Sequence, residues 1–442
     1  MDTSPLLGPS SSDTILAWKG KNPVSCGVFF THLQQIEHRL PAAPCVINLC
    51  KDRYNFWVGF AAALLKKQVT LLPPSRAQGD LQRLVSSYSP TYCLTDSDDN
   101  IPGVPAIHID LNLHVSPRHY QDISIPNDQA AAMAFTSGST GQPRANMKSW
   151  GSLVEIAKKS AKRLGWTPSQ PLTFLATVPH QHMYGLEGTI MLPVQHGWAF
   201  HSGWPFYPED IRTMLNQLPT KRVLVSTPVH LRACLMEHTQ LPPLVGVLSA
   251  TSPLTQELAC QVEGQFQTSV YEIYGFAEAG TIAMRRTGSE VFWHLLEGLH
   301  LIPDTRGYSV QTPYFQDPVP IPDSIQPEGS YQFFLEGRPT NMVNIGGHRT
   351  SLEELSEKLN SVEGIEDGVF CMPEERDGRV TRLIAFVVAP GLKTEDILSA
   401  LRPKMNPVFL PRPLVFVDRL PRNPTGKLPR ENLQELMEQH QL

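Results

Sequence analysis

Nothing in this chain supplies the basic surplus of a nucleic-acid-binding domain: 37 lysines and arginines stand against 42 aspartates and glutamates, a net charge of −5. Charged residues are few, at 18%, and hydrophobic ones reach 41%, a balance that excludes a disordered chain and fits a globular one. No C-x-x-C pair occurs, and the cysteines number seven. An odd count without paired spacing argues against a disulfide framework and a zinc site, and for a reducing compartment. The opening "MDTSPLLGPSSSD" has neither a basic segment nor an apolar one, so no secretory signal is expected. No apolar run is long enough for a membrane span of about 20 residues; the longest, "FWVGFAAALL", covers 56 to 65. A soluble, cytoplasmic protein is expected, without nucleic acid or membrane as partner.

What the chain has in excess is proline, 40 in 442 residues, which predicts many loops and well-marked turns. The length allows one large domain and a smaller one, or two or three of ordinary size. Short apolar runs alternate with helical stretches: "PCVINLC", then "DRYNFWVGFAAALLKKQ", then "VTLLPP". The same rhythm recurs in "KRVLVSTP", "VHLRACLMEHT", "LVGVLSA" and "PLTQELACQVEGQF". It predicts an α/β architecture with buried, largely parallel sheets. The proline-rich stretch 304–330 breaks the rhythm. Beyond Arg338 the helix-like "SLEELSEKLNSV" and "TEDILSALRPKM" mix with the strand-like "VFCM", "RLIAFVVAP" and "PLVFVD". That predicts a separate α+β module, with a boundary near 338–341 and domains 1–338 and 339–442.

Four stretches carry chemistry. "FTSGSTGQPRANMKSW", residues 135–150, packs hydroxyls and glycines directly after an apolar strand. Successive main-chain N–H groups with Ser and Thr hydroxyls make a concavity for phosphate, and glycine lets the ligand approach closely; a flexible turn is the alternative. The Walker A spacing is absent, which argues against a P-loop kinase or ATPase. "EIYGFAEAG", 272–280, places Glu278 where it could hold Mg2+ opposite a phosphate, or merely end a strand. "EGRPTNMVNIGGHRTSLEEL" sets a Gly-Arg and a Gly-His-Arg around a short apolar strand, and "LPRNPTGKLPRENL" puts Lys427 in a turn bounded by proline and glycine. Taken singly, such a lysine is ordinary surface charge.

In this order and spacing, from about residue 50 to 435, the stretches resemble the adenylate-forming superfamily of acyl- and aryl-CoA synthetases, adenylation domains and luciferases. The resemblance implies a large N-terminal domain of α/β subdomains and a small mobile C-terminal domain. Thr136, Ser137, Gly138, Ser139, Thr140 and Gly141 match its phosphate loop, with Arg144 where lysine is commoner. "PHQHMYGL" resembles its next motif and puts His182 near the substrate carboxylate, a packed core histidine being the alternative. In "YGFAE", Tyr274 and Gly275 would meet the adenine and Glu278 the Mg2+, while Ala277 replaces the usual threonine. Asp323, fifteen residues before Arg338, takes the place of the ribose-binding aspartate in preference to Asp317, and Arg338 would contact the nucleotide. Thr340 occupies the hinge, with Asn341 beside it. Gly347 and Arg349 match the Gly-x-Arg that faces the thiol arm. Lys427 matches the catalytic lysine, whose ammonium would stabilise charge on the α-phosphate and the leaving pyrophosphate.

The resemblance places His182, Tyr184, Ala250, Thr251, Phe276 and Gly280 around the acid. Ala250 and Phe276 suit a flat aryl acid or a short acyl chain better than a fatty one. The chain is short for the superfamily, with the deficit in its N-terminal part. It is most similar to the hydroxybenzoate-type ligases of xanthomonadin and aryl-polyene pigment biosynthesis. The implied activity is ATP- and Mg2+-dependent formation of an acyl-adenylate, then transfer to a phosphopantetheine thiol of an acyl carrier protein or of CoA. Two alternatives stand beside it: a degenerate protein that binds ATP or an acyl-adenylate without turnover, motivated by Arg144, Ala277 and Thr340, and a short- or medium-chain fatty acyl-CoA ligase.

Overall fold

A strand buried on both faces needs helices on each side of its sheet, and the strands Cys45–Asn48, Thr173–Ala176 and Ala199–His201 are buried at every position. The computed structural model describes residues 2–73, 76–136, 144–219, 221–305, 307–312, 314, 317–337, 342–345, 348–373, 382–423 and 426–440. The chain divides into two compact units. The first holds Met1–Ala250, Gln256–His300 and Val310–Val319; the second holds Thr251–Thr255, Leu301–Ser309 and Pro320–Leu442. The boundary expected at 338–341 lies outside the described residues.

The first unit contains two large sheets beside the two-stranded pair Thr3–Pro5 and Ser124–Pro126. One runs in the order Arg144–Ser149, Ala130–Thr136, Val69–Leu72, Cys45–Asn48, Thr91–Thr95, Ala106–His108. The other runs Trp293–Leu295, Gly280–Arg285, Val270–Phe276, Leu244–Ser249, Arg222–Ser226, Thr173–Ala176, Ala199–His201, Ile15–Lys19, Asn22–Ser25. The interior pairs are parallel. The edge strands Arg144–Ser149 and Asn22–Ser25, and Gly280–Arg285 between Val270–Phe276 and Trp293–Leu295, are antiparallel to their neighbours. The sheets are thus largely parallel, as expected, with antiparallel strands added at or next to their edges. The reason is connection length: a parallel pair needs a crossover of a dozen or more residues, and these strands follow their partners after short connections. Two of those connections are the glycine-rich and glutamate-bearing motifs.

The apolar run 56–65 lies in the helix Arg53–Leu65, buried from Arg53 to Leu64 and capped by Asp52, which accepts from Asn55 N. A helix apolar all round is a core helix, and among the described residues no helix is long and apolar enough to cross a membrane. Arg53 anchors it to the other sheet. Its Nη1 donates to the carbonyls of His201 (2.8 Å) and Gly203 (2.9 Å), and its Nη2 to that of Val178 (3.0 Å). Burial pulls the guanidinium pKa down to about 10, so it stays charged at neutral pH.

In the second unit, Ser324–Glu328 pairs antiparallel with Gln332–Gly337, and Met342–Ile345 with His348–Ser351. The helix Leu352–Asn360 follows, capped by Ser351. A three-stranded sheet orders Asp367–Cys371, Ile384–Val388 and Leu414–Phe416. Leu355, Leu359, Phe370, Val387, Ile397 and Leu401 pack into its core. The helices and strands expected beyond residue 350 are present; the polar turn "PEERDGR" falls mostly on residues outside those described.

Candidate active site

The glycine-rich stretch joins two strands of one hairpin. Thr136 pairs with Arg144 and Phe135 with Ala145, so residues 137–143 connect adjacent strand ends. Ser137, Gly138, Ser139, Thr140 and Gly141 lie outside the described residues; Thr136 and Arg144 are described in their backbone. The second strand of the hairpin carries Lys148, which is 3% exposed. Its Nζ donates to the backbone carbonyl of Glu278 at 2.5 Å. Burial pulls the Lys148 pKa down to about 8, against the opposing pull of the Glu187 and Glu278 charges.

Glu278 sits in the tight connection between Val270–Phe276 and Gly280–Arg285. Phe276 pairs with Gly280, and Ala279 N donates to Phe276 O at 3.1 Å. The carboxylate is therefore carried by a four-residue turn and is half-buried. Glycine is required at two positions beside it, Gly275, which pairs with Thr281, and Gly280. A Cβ at Gly275 would meet Gly280 O at 2.3 Å, and one at Gly280, where φ is +78°, would meet Glu187 Oε1 at 2.3 Å. Glu187, 5% exposed, is held by Thr281, whose N and Oγ1 donate to Oε2 at 3.0 and 2.7 Å. Burial pushes its carboxyl pKa up. Tyr274 is buried against Trp293, with ring centroids 5.4 Å apart; Phe276 lies 6.4 Å from Tyr274.

Ligands of open α/β sheets gather at the carboxyl ends of parallel strands, and here those ends carry hydroxyls. Thr177 Oγ1 and Ser226 Oγ share a hydrogen bond of 2.9 Å. Tyr184 OH lies 3.0 Å from both Ser226 O and Leu248 O, bridging two strands. Burial lifts its pKa well above the phenol value. Its hydroxyl is thus committed to the sheet, and its contribution to an acid would come from the ring. His182 is half-buried and its carbonyl accepts from Leu186 N at 2.8 Å. The packed core histidine of this motif is its neighbour His180, 1% exposed, with Nε2 2.9 Å from Cys50 O. Ala250 is buried. Thr251 adopts φ +82°, a strained conformation for a β-branched residue.

In the second unit, Ser324 pairs with Gly337, so Asp323, half-buried, leaves the ladder at the end where Gly337 closes it. Arg338, Thr340 and Gly347 lie outside the described residues, and Arg349 is described in its backbone, opposite Asn344. Lys427 is exposed and sits in a braced turn. Its N–H donates to Asn423 Oδ1 at 2.9 Å, and its carbonyl accepts from Asn423 N at 2.7 Å. Gly426 takes φ +80° and donates to Asn423 O at 2.8 Å.

A family model described as AMP-binding enzyme matches residues 61–306, and one for the AMP-binding enzyme C-terminal domain matches 356–427. The chain belongs to the AMP-binding enzyme family. The first match takes in the hairpin, the Glu278 turn and the carboxyl strand ends; the second ends on Lys427. Among curated AMP-binding relatives, 4-coumarate–CoA ligase of Rhodobacter capsulatus is 27% identical over 249 residues, 56% of this chain and 62% of that protein. D-alanine–D-alanyl carrier protein ligase of Staphylococcus aureus is 22% identical over 366 residues, covering 72% and 73%. The chain thus spans less than two thirds of the coumarate ligase. The fold matches o-succinylbenzoate coenzyme A synthetase of Bacillus subtilis, solved with ATP and magnesium ion, at TM-score 0.80 and 18% identity, covering 98% of this chain and 100% of that one.

Lys148, Glu187 and Thr281 were not singled out from the sequence. Glu187 had a signal: a lone carboxylate inside the apolar run "YGLEGTIMLP" needs a partner when buried. Lys148 had none, because a lysine near the end of a strand reads as solvated.

Proposed function

We propose that this protein activates a carboxylic acid with ATP and passes the acyl group to a phosphopantetheine thiol. An oxygen of the acid attacks the α-phosphorus, the bond to the bridging oxygen breaks, and pyrophosphate leaves. The thiol sulfur then forms a bond to the acyl carbon, its proton goes to solvent, and the acyl C–O bond breaks to release AMP. The observation that carries this reading is the tie between two motifs. Lys148, on the strand that follows the phosphate-loop sequence, bonds the turn that bears Glu278.

Mg2+ suits this donor set. Among the described residues no group of three or more His, Cys, Asp or Glu could hold a metal ion. Mg2+ is commonly bound by one or two carboxylates, with phosphates and waters completing its shell. Glu278 would be its protein ligand, and the ion would neutralise phosphate charge. Thr136, the hydroxyls and N–H groups of 137–141 and Arg144 would hold the triphosphate, with Tyr274 and Gly275 beside the adenine and Asp323 and Arg338 at the ribose. His182, the ring of Tyr184, Ala250, Thr251, Phe276 and Gly280 would surround the acid. The ring face of Tyr184 and the small Ala250 support an aryl acid such as a hydroxybenzoate. Lys427 would stabilise the pentavalent phosphorus, and a pivot at Thr340 would exchange it for Gly347 and Arg349 in the thiol step. The domain division 1–338 and 339–442 belongs to the same proposal.

ATP–pyrophosphate exchange across a panel of aryl and fatty acids tests the activity. Exchange with a hydroxybenzoate, and AMP as the nucleotide product, is expected; exchange with fatty acids alone would remove the aryl assignment, and ADP release would remove the reaction. Incubation of the adenylate with CoA and with a phosphopantetheinylated carrier protein separates the two thiol donors.

A further inference from the structure

We propose that Lys148 and Glu187 are positioning residues that clamp the Glu278 turn on two sides and fix the direction of its carboxylate. The inference rests on the reading of Glu278 as the Mg2+ ligand and adds how the chain holds it there.

Lysine and glutamate are almost never fully buried without partners, yet Lys148 and Glu187 are 3% and 5% exposed. Lys148 bonds the turn itself, and Glu187 bonds through Oε2 to Thr281 on the strand that leaves it. Lys148 Nζ binds the carbonyl of Glu278 itself at 2.5 Å, which restrains the peptide plane after Glu278. Glu187 Oε2 takes both the N–H and the hydroxyl of Thr281, at 3.0 and 2.7 Å, which fixes the strand that leaves the turn. Glu187 Oε1 occupies the space that a side chain at Gly280 would need. The two clamps come from different places: Lys148 from the hairpin strand Arg144–Ser149, Glu187 from a turn of π-helix, Glu187–Met191, a geometry frequent at functional sites.

A short turn between antiparallel strands has few contacts of its own, so its carboxylate would sample several directions. Geometry of this kind must be held to within about 0.5 Å for a site to work. Charged side chains do this better than apolar ones, because a charge-assisted hydrogen bond is directional and roughly twice as strong as a neutral one. The clamp also links the turn to the strand Arg144–Ser149.

The test uses the full chain with Lys148→Met, Lys148→Arg, Glu187→Gln and the double variant Lys148→Met/Glu187→Gln. Binding of an ATP analogue with a non-hydrolysable α–β bridge is measured by calorimetry with and without Mg2+, beside the rates of both half-reactions and a melting curve. Lys148→Met should weaken Mg2+-dependent binding about tenfold, near 1.4 kcal/mol, and leave Mg2+-free binding and thiol transfer from a supplied acyl-adenylate within about twofold. Lys148→Arg should recover part of the loss. Glu187→Gln, which keeps shape and an acceptor for Thr281, should act in the same direction and reports the clamp if Lys148→Met fails to fold. The double variant should be no worse than the weaker single, since both act on one turn. Equal loss of Mg2+-free binding, or of both half-reactions, would reduce the pair to fold stability and overturn the proposal, as would unchanged Mg2+-dependent binding. Absence of pyrophosphate exchange by the parent protein with every acid would sink the activity, whereas the calorimetry would still report the clamp.

Discussion

Arg422 grips Asp367 with both arms of its guanidinium, Nε to Oδ2 at 2.6 Å and Nη2 to Oδ1 at 2.7 Å, and with Nη1 reaches the carbonyl of Gly426 at 3.0 Å. Gly426 immediately precedes Lys427. The pair therefore ties the lysine-bearing turn to the strand Asp367–Cys371, the edge of the second unit's sheet. Only a planar fork can make these three bonds at once. Arg422→Lys is expected to slow adenylate formation about tenfold, as a charged hydrogen bond worth about 1.5–3 kcal/mol is lost. The thiol step from a supplied adenylate should stay near the parent rate. Stopped-flow measurement of each half-reaction checks it, and a loss shared equally by both would show that the pair serves only the fold.

The sequence carried the motifs because their loops need residues that regular structure avoids: the glycines and hydroxyls of 136–141, the Gly275 and Gly280 beside the Glu278 turn, the Pro-Thr-Gly before Lys427. It could not carry what tertiary cover decides. In "RANMKS", alternation puts Arg144, Asn146 and Lys148 on one face and Ala145, Met147 and Ser149 on the other, and the polar face reads as the wet one. The structure reverses this at the far end: Lys148 is 3% exposed and Met147 is 51%. The turn that covers Lys148 is 130 residues away in sequence, and no local pattern announces it. The antiparallel sheet edges escaped notice for a simpler reason. Strand-like runs carry no direction, and the short turns that set it were read for their chemistry alone. His180 and His182 show the same limit, since nothing local says which of the two faces a core.

Gly280 is the sharpest stability test. Its φ of +78° costs an L-residue about 1–2 kcal/mol, and the added methyl would meet Glu187 Oε1 at 2.3 Å and Ile156 Cδ1 at 2.9 Å. Gly280→Ala is expected to destabilise the protein by at least about 2 kcal/mol, both effects acting together. Denaturant unfolding of variant and parent measures it; an unchanged midpoint would mean that the Glu187 carboxylate is not fixed beneath the turn.

Thiol labelling gives an independent check on the core. Cys260 is exposed, while Cys26, Cys45, Cys50, Cys93, Cys234 and Cys371 are buried. Burial pushes the thiol pKa up to about 11 at Cys26 and to about 12 at Cys93, Cys234 and Cys371. Only the thiolate reacts readily, so access and ionisation act in the same direction. A chromogenic disulfide reagent should titrate one fast thiol in the native protein, and all seven cysteines after denaturation. Cys260→Ser should remove the fast phase; two or more fast thiols would contradict the packing of these strands and helices.

The last prediction separates the two chemistries proposed for this protein. Adenylate formation builds negative charge on a five-coordinate phosphorus and on the departing pyrophosphate, and an ammonium aimed there lowers the barrier. Thioester formation breaks the acyl C–O bond and no P–O bond, so it has neither the five-coordinate phosphorus nor the pyrophosphate that the ammonium would stabilise. Lys427 is exposed, and its N–H and carbonyl both bond to Asn423, bonds that Lys427→Ala keeps. The variant should slow adenylation by at least about 10²-fold, the usual loss for one donor directed at a transition state, and spare the thiol step. Gly347→Leu should do the reverse, because a side chain there would obstruct the pantetheine arm if the C-terminal domain presents that segment in the second step. The pair of variants is read as a cross: opposite half-reactions lost in the two proteins support an exchange of Lys427 for Gly347 and Arg349. Parallel losses in both would leave one fixed arrangement serving both steps, and Lys427 would then owe its place to something other than charge on phosphorus.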